Sequence, residues 1–125
     1  MKESIRYFKI PIGFSNKASK RFTPNEDVII ISEVRIKLHP EPVISLAGIG
    51  RTITAREGDI FTIGRGDSYI SQKAFLYFWL DLTSSDFSKH QRCRIDDQIL
   101  KEWIALGVLV ELEEDEKLLY EFGLL

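Results

Sequence analysis

The sequence predicts a mostly β, α+β chain: a small antiparallel sheet or barrel-like β domain with one late amphipathic helix and a C-terminal hairpin. Three observations carry the prediction. Short β-branched and aromatic runs recur, separated by turns rich in Gly, Pro and Asp. The apolar period changes from two to the helical value of about 3.6 at one place, after Arg94. The 125 residues are 44% hydrophobic, with 8 Phe, 4 Tyr and 2 Trp, enough for one core in one domain.

Taken in order, "SIRYFKIPIGF" places Arg6, Phe8, Ile10, Ile12 and Phe14 on one parity. Pro11 interrupts it, which predicts an edge strand or a free arm. "SNKASKRFTPNED" reads as a polar, basic loop, so residues 1–25 form an N-terminal arm and basic loop, and residues 26–125 a single β-rich domain. "VIIISEVRIKL" is one strand, apolar throughout at first and then alternating, stopped by the prolines of "HPEP". "RTITAREGDIFTIGRGD" is a hairpin turning at Gly58, which supplies a positive φ. "GRGD" is a second turn. Its Arg65-Gly66-Asp67-Ser68 spells an integrin recognition string, but Gly, Arg and Asp suit a surface turn on their own account. "AFLYFWLDL" is aromatic on both parities, hence a central strand or one covered by a partner, and residues 83–94 are a loop. A helix spans about 96–106, with Asp96 as N-cap, Gly107 just past its end, and Ile95, Ile99, Trp103 and Leu106 on its apolar face. "VLVEL" and "KLLYEF" are the strands of the C-terminal hairpin, joined by "EEDE".

Catalytic and cofactor chemistry find no support in the residue pattern. Cys93 is the only cysteine, so no internal disulfide can form. His90, Cys93 and His39 fall short of a regular four-ligand zinc pattern. Gly48-x-Gly50 lacks the rest of a phosphate-binding loop, and the segment after it is β-branched rather than helical. Asp96 and Asp97 are adjacent, so they do not share a helix face, and the acids of "EEDE" read as a solvated tip. The expectation is therefore a non-enzymatic chain that needs no metal and no other cofactor. The longest apolar run, Ala74–Leu80, is far short of the ~20 residues that span a bilayer. The amino-terminal residues contain no signal-type apolar block. The expectation is a soluble intracellular protein in the host cytoplasm, without a membrane partner.

Charge is segregated. Residues 1–95 carry 15 Lys and Arg against 10 Asp and Glu, and residues 96–125 carry 2 against 9. Such a division can draw copies together head to tail. The basic side is represented by Lys17, Lys20 and Arg21, with Tyr7, Phe8 and Phe14 as apolar anchors. The acidic side is represented by Glu113 and Glu114, with Leu119, Tyr120 and Phe122 as anchors. These are the candidate interface residues. The basic loops 15–21 and 89–94 also suit a small nucleic-acid-binding regulator. A winged-helix reading of residues 95–122 fails on charge, because the wing tip would be Glu113-Glu114-Asp115-Glu116.

The amphipathic helix followed by "ALGVLVEL" resembles the C-terminal ends of small head, neck and tail accessory proteins of tailed bacteriophages. The resemblance implies a repeated structural component of a virion, whose partners are itself or other structural proteins. Nucleic acid is a secondary partner in that reading.

Overall fold

The computed structural model describes residues 5–65, 77–83 and 90–124. The mostly β prediction holds. Two antiparallel sheets form, and among the described residues they do not close into a barrel.

The first sheet contains β1 (Arg6–Lys9), β6 (Ile60–Arg65), β7 (Tyr77–Leu82), β8 (Gln91–Asp96) and β9 (Val110–Glu111), in the order β8-β7-β6-β1-β9. The second contains β2 (Val28–Ile31), β3 (Val34–Lys37), β4 (Val43–Ala47) and β5 (Thr52–Ala55), in sequence order. Three helices, α1 (Phe14–Arg21), α2 (Asp97–Ala105) and α3 (Glu114–Glu121), complete the described elements.

Period-two alternation decides which face of each strand is dry. Phe8, Phe61, Ile63, Leu80, Leu82, Cys93 and Ile95 point inward from the first sheet, and Ile29, Ile31, Val34, Ile36, Ile44, Leu46, Ile53 and Ala55 from the second. Both sets join one apolar cluster with Phe14 and Ala18 of α1 and Leu100 and Trp103 of α2.

The late helix forms where the period changes. The Asp96 carboxylate accepts from the Ile99 N–H at 2.8 Å, and Gly107 adopts φ 78° just past the helix end. Trp103 is fully buried, while Ile99 and Leu106 pack against the cluster part-exposed.

Several elements differ from the sequence reading. The N-terminal segment is not a free arm. β1 pairs with β6 on one side and β9 on the other, and Pro11 lies beyond the strand, where it breaks no ladder bond. Residues 15–21 of the expected basic loop belong to the helix α1, which starts at Phe14. Its first N–H groups are held by a distant carboxylate: Glu57 accepts from Gly13 at 2.6 Å and from Ser15 at 3.0 Å. "VIIISEVRIKL" is a hairpin of β2 and β3 rather than one strand. Ser32 takes φ 52°, a conformation usually left to Gly or Asn, so the turn has no glycine to announce it. β5 and β6 are not a hairpin. Gly58 has the expected positive φ, but its N–H donates to Ile10 and the Ile10 N–H donates to Asp59, so the turn carries the chain from one sheet into the other. Residues 91–94 of the expected loop belong to β8, which runs on to Asp96. The C-terminal hairpin is absent: "VLVEL" contributes the two-residue β9, and "KLLYEF" lies largely within α3. The acids of "EEDE" are at the start of that helix, where the macrodipole favours them. Of the Arg-Gly-Asp turn, Gly64 and Arg65 belong to β6, and the remainder lies outside the described residues.

Candidate functional site

The two sheets meet at a corner made by β5, β8 and the turn after β4. The Ile49 N–H donates to the Arg94 carbonyl at 2.7 Å. The Gln91 side-chain amide pairs with the Thr54 backbone in both directions, each at 2.8 Å, so a side chain stands in for a strand neighbour. Gly48 sits so close to β8 that a Cβ there would lie 2.6 Å from the Cys93 sulfur. Cys93 is buried in this joint. Desolvation raises its thiol pKa to about 11, and the charge of Asp81 adds to the effect, which disfavours a thiolate nucleophile.

At the same corner is a cleft of about 500 Å³ lined by Ile49, Gly50, Arg51, Trp79, Arg92, Cys93 and Arg94. Strand alternation builds it. Arg92 and Arg94 flank the inward Cys93, and Trp79 is directly opposite Arg94 in the β7–β8 register. Both guanidinium groups stand over the Trp79 ring, at 4.9 and 5.1 Å from its centre. Asp81 fixes Arg92 with two bonds, at 2.7 and 3.2 Å, which raise the Arg92 pKa further; His90 lies 3.2 Å from the same carboxylate. Arg51 is exposed at the cleft mouth and has no ion pair among the described residues.

The candidate interface residues are divided by the fold. Phe8 and Phe14 are buried in the chain's own core and cannot anchor a partner. Tyr7 is half-buried against Tyr120, with ring centres 5.5 Å apart, and Lys117 stands over the Tyr7 ring. Part of the charge division is satisfied internally. Arg6 pairs with Glu111 through two bonds at 2.9 and 3.0 Å, and Lys9 pairs with Glu116 at 2.5 Å. These hydrogen bonds hold both carboxylates below their ordinary pKa. Lys17, Lys20 and Arg21 remain exposed on α1, and Glu113 and Glu114 at the start of α3.

The remaining surface is α3 itself. It buries no residue. Glu116, Lys117 and Tyr120 face β1, while Leu118 and Leu119, four and three residues before Phe122, make an exposed apolar patch with it. Phe122 is 76% exposed and Leu124 73%. Ile12, beside α1, is 78% exposed.

Arg51 and Trp79 were not among the residues the sequence singled out. The available signal was the Arg-Cys-Arg alternation at 92–94, which as a strand places two cations on one face. Among the described residues no group of three or more His, Cys, Asp or Glu is arranged to hold a metal ion, and no helix is long and apolar enough to cross a membrane. No protein-family model, curated protein or solved structure matches the chain.

Proposed function

We propose that the chain is a non-catalytic assembly protein that repeats through contacts between its own copies. The observation that carries this is α3, a helix that turns Leu118, Leu119 and Phe122 away from its own core. Water-exposed apolar side chains grouped on one helix face are stabilised by a partner surface.

The occupant that fits is the α1 side of a second copy. That side offers the exposed Ile12 together with Lys17, Lys20 and Arg21, none of which has an ion pair among the described residues. Around the α3 patch stand Glu113, Glu114, Asp115 and Glu121. Opposite charges steer the encounter and set its register, while the apolar groups provide most of the affinity. Because α1 and α3 are different surfaces, the contact is heterologous, and repetition gives rings or filaments. A virion component of the head, neck or tail accessory kind is the repeated particle that the C-terminal resemblance implies. β1 has no part in this contact, since it is committed to its own sheet.

Light scattering coupled to size exclusion, run over a dilution series, tests the proposal. Mass should rise with protein concentration. Phe122→Asp with Leu119→Asp should leave a folded monomer, because neither side chain is in the core. Lys20→Glu with Arg21→Glu should weaken association, and Glu113→Lys with Glu114→Lys on the same chain should restore it. A monomer at every soluble concentration sinks the proposal.

A further inference from the structure

We infer that α3 is a releasable strap: its hold on β1 runs through one carboxylate, Glu116, and loss of that charge frees the helix. The release itself does not depend on assembly. Its consequence rests on the assembly reading, because a freed helix no longer presents Leu118, Leu119 and Phe122 at a fixed place.

α3 buries no residue, so core packing does not hold it. One Glu116 oxygen accepts from the Lys9 ammonium of β1 at 2.5 Å, and the other accepts from the Glu113 N–H at 3.4 Å. The same carboxylate thus ties the helix to the sheet and closes its first turn. Tyr120 lies against Tyr7, and the Lys117 ammonium stands 5.7 Å from the centre of that ring. The hinge is fixed separately: Leu112 is buried, and its N–H donates to the Tyr7 carbonyl at 2.9 Å. Release therefore starts after Leu112 and leaves β9 in place.

Small contacts matter where no large one exists. A part-exposed ion pair shifts a docking equilibrium by up to about fivefold. That is a minor correction for a helix with a buried face, but a large share of the hold on a helix with none. Nor does the freed helix persist, because its 8 residues are fewer than the ~12–15 that stay helical alone in water. Release is thus local unfolding. The titratable and charged groups on the strands beside Glu116 are Arg6, Tyr7 and Lys9 of β1 and Glu111 of β9, with Glu113 and Lys117 close in its own segment. Arg6 is engaged by Glu111, which leaves Lys9 as the cation for Glu116. Hydrogen bonding from Lys9, and next from the Glu113 N–H, holds the Glu116 pKa below the ordinary carboxylate value, although burial raises it. A folded pKa below the unfolded one makes the hold complete above the unfolded value of about 4.3, and it is lost as pH falls through the folded value. Salt screens the same pair at neutral pH.

The experiment is amide hydrogen exchange of the full chain, read by mass spectrometry and compared between α3 and α2 as protection factors. At pH 7 and low salt, Lys9→Gln and Glu116→Gln should each lower protection in α3 by about threefold, within the range of a part-exposed pair, and leave α2 unchanged. Glu116→Gln keeps an acceptor for the Glu113 N–H, so its effect reports the tie to Lys9. The two changes together should do no more than either alone, because they remove one shared contact. Glu114→Gln removes a charge from the same first turn without touching Lys9, and should leave α3 as it is. In the parent, a fall from pH 7 to 3.5, or the addition of salt at pH 7, should bring α3 down toward the Glu116→Gln value while α2 holds. The result should not change between two protein concentrations tenfold apart. A chain that never assembles still shows the release, so this inference and the assembly reading fail separately. Unchanged α3 protection in Lys9→Gln overturns the inference. So does an effect of Glu114→Gln equal to that of Glu116→Gln, additivity of the two changes, or a joint loss of protection in α2 and α3.

Discussion

Glu57 starts a helix that lies more than forty residues before it in the chain. Its two carboxylate oxygens accept the Gly13 and Ser15 N–H groups, 44 and 42 residues away, in the role that a Ser or Asp side chain next to the helix would fill. Burial alone would raise its pKa. Hydrogen bonding from Ser15 and Gly13 outweighs that and leaves the pKa below the ordinary carboxylate value. A folded pKa below the unfolded one stabilises the protein fully above the unfolded pKa of about 4.3, and the contribution is lost as pH falls through the folded value. Glu57→Gln keeps an acceptor but removes the charge. Charge-assisted bonds to a half-exposed group support a loss of about 1–2 kcal/mol at pH 7. Urea unfolding at pH 7 and at pH 3 should show that loss shrinking at the lower pH, where the parent carboxylate is itself being protonated. An equal loss at both pH values would place the effect in shape rather than charge.

At the scale of elements, α2 is the clearest link from sequence to packing. Its cap is local, its apolar spacing is helical, and its central side chain, Trp103, is fully buried. Trp103→Ala should cost about 3–5 kcal/mol, read as a shift in the urea midpoint without a change in slope. A loss below ~1 kcal/mol would mean that neighbouring side chains refill the space. The other two helices were illegible for different reasons. α1 begins at a glycine and is capped from Glu57, so no local start signal exists in "PIGFSNKASKR". α3 did carry a signal, since acids grouped before "KLLYE" suit a helix start, and Glu116 reaches back to the Glu113 N–H at 3.4 Å. Tyr120 and Phe122 suit a strand and obscured it, although the Lys, Leu and Glu of "KLLYEF" are good helix formers. Strands were legible as runs, but their partners were not. Nothing local says that Ala55 and Ile60 belong to different sheets, or that Ser32 turns β2 into β3. The cleft was least legible, because Arg51, Trp79 and Arg94 come from three segments joined only by that sheet arrangement.

For the molecule as a whole, the N-terminal strand has the widest consequence, because it closes the first sheet between β6 and β9 and brings the two chain ends together. Arg6–Glu111, Lys9–Glu116 and the Tyr7–Tyr120 contact all run between the first ten residues and the last fifteen. The charge division along the sequence is thus partly an internal pairing, and only its remainder is free to act between molecules. Exposed pairs of this kind contribute little singly. The apolar side chains of residues 8–14 decide the matter. Phe8, Ile10 and Phe14 are all buried, and burial of each such side chain is worth about 1.5–3 kcal/mol, so together roughly 5–9 kcal/mol. That is comparable to the whole stability of a small domain, about 5–15 kcal/mol. Deleting residues 1–14 should therefore abolish cooperative folding, since it also unpairs β6 and β9 and removes the Gly13 N–H from Glu57. The check is a thermal melt followed by circular dichroism, beside a Phe8→Ala chain that should stay folded but lose about 3–5 kcal/mol. If the truncated chain keeps a native spectrum and a sharp melt, β1 is dispensable to the sheet, and its residues return to contention as a connector between copies.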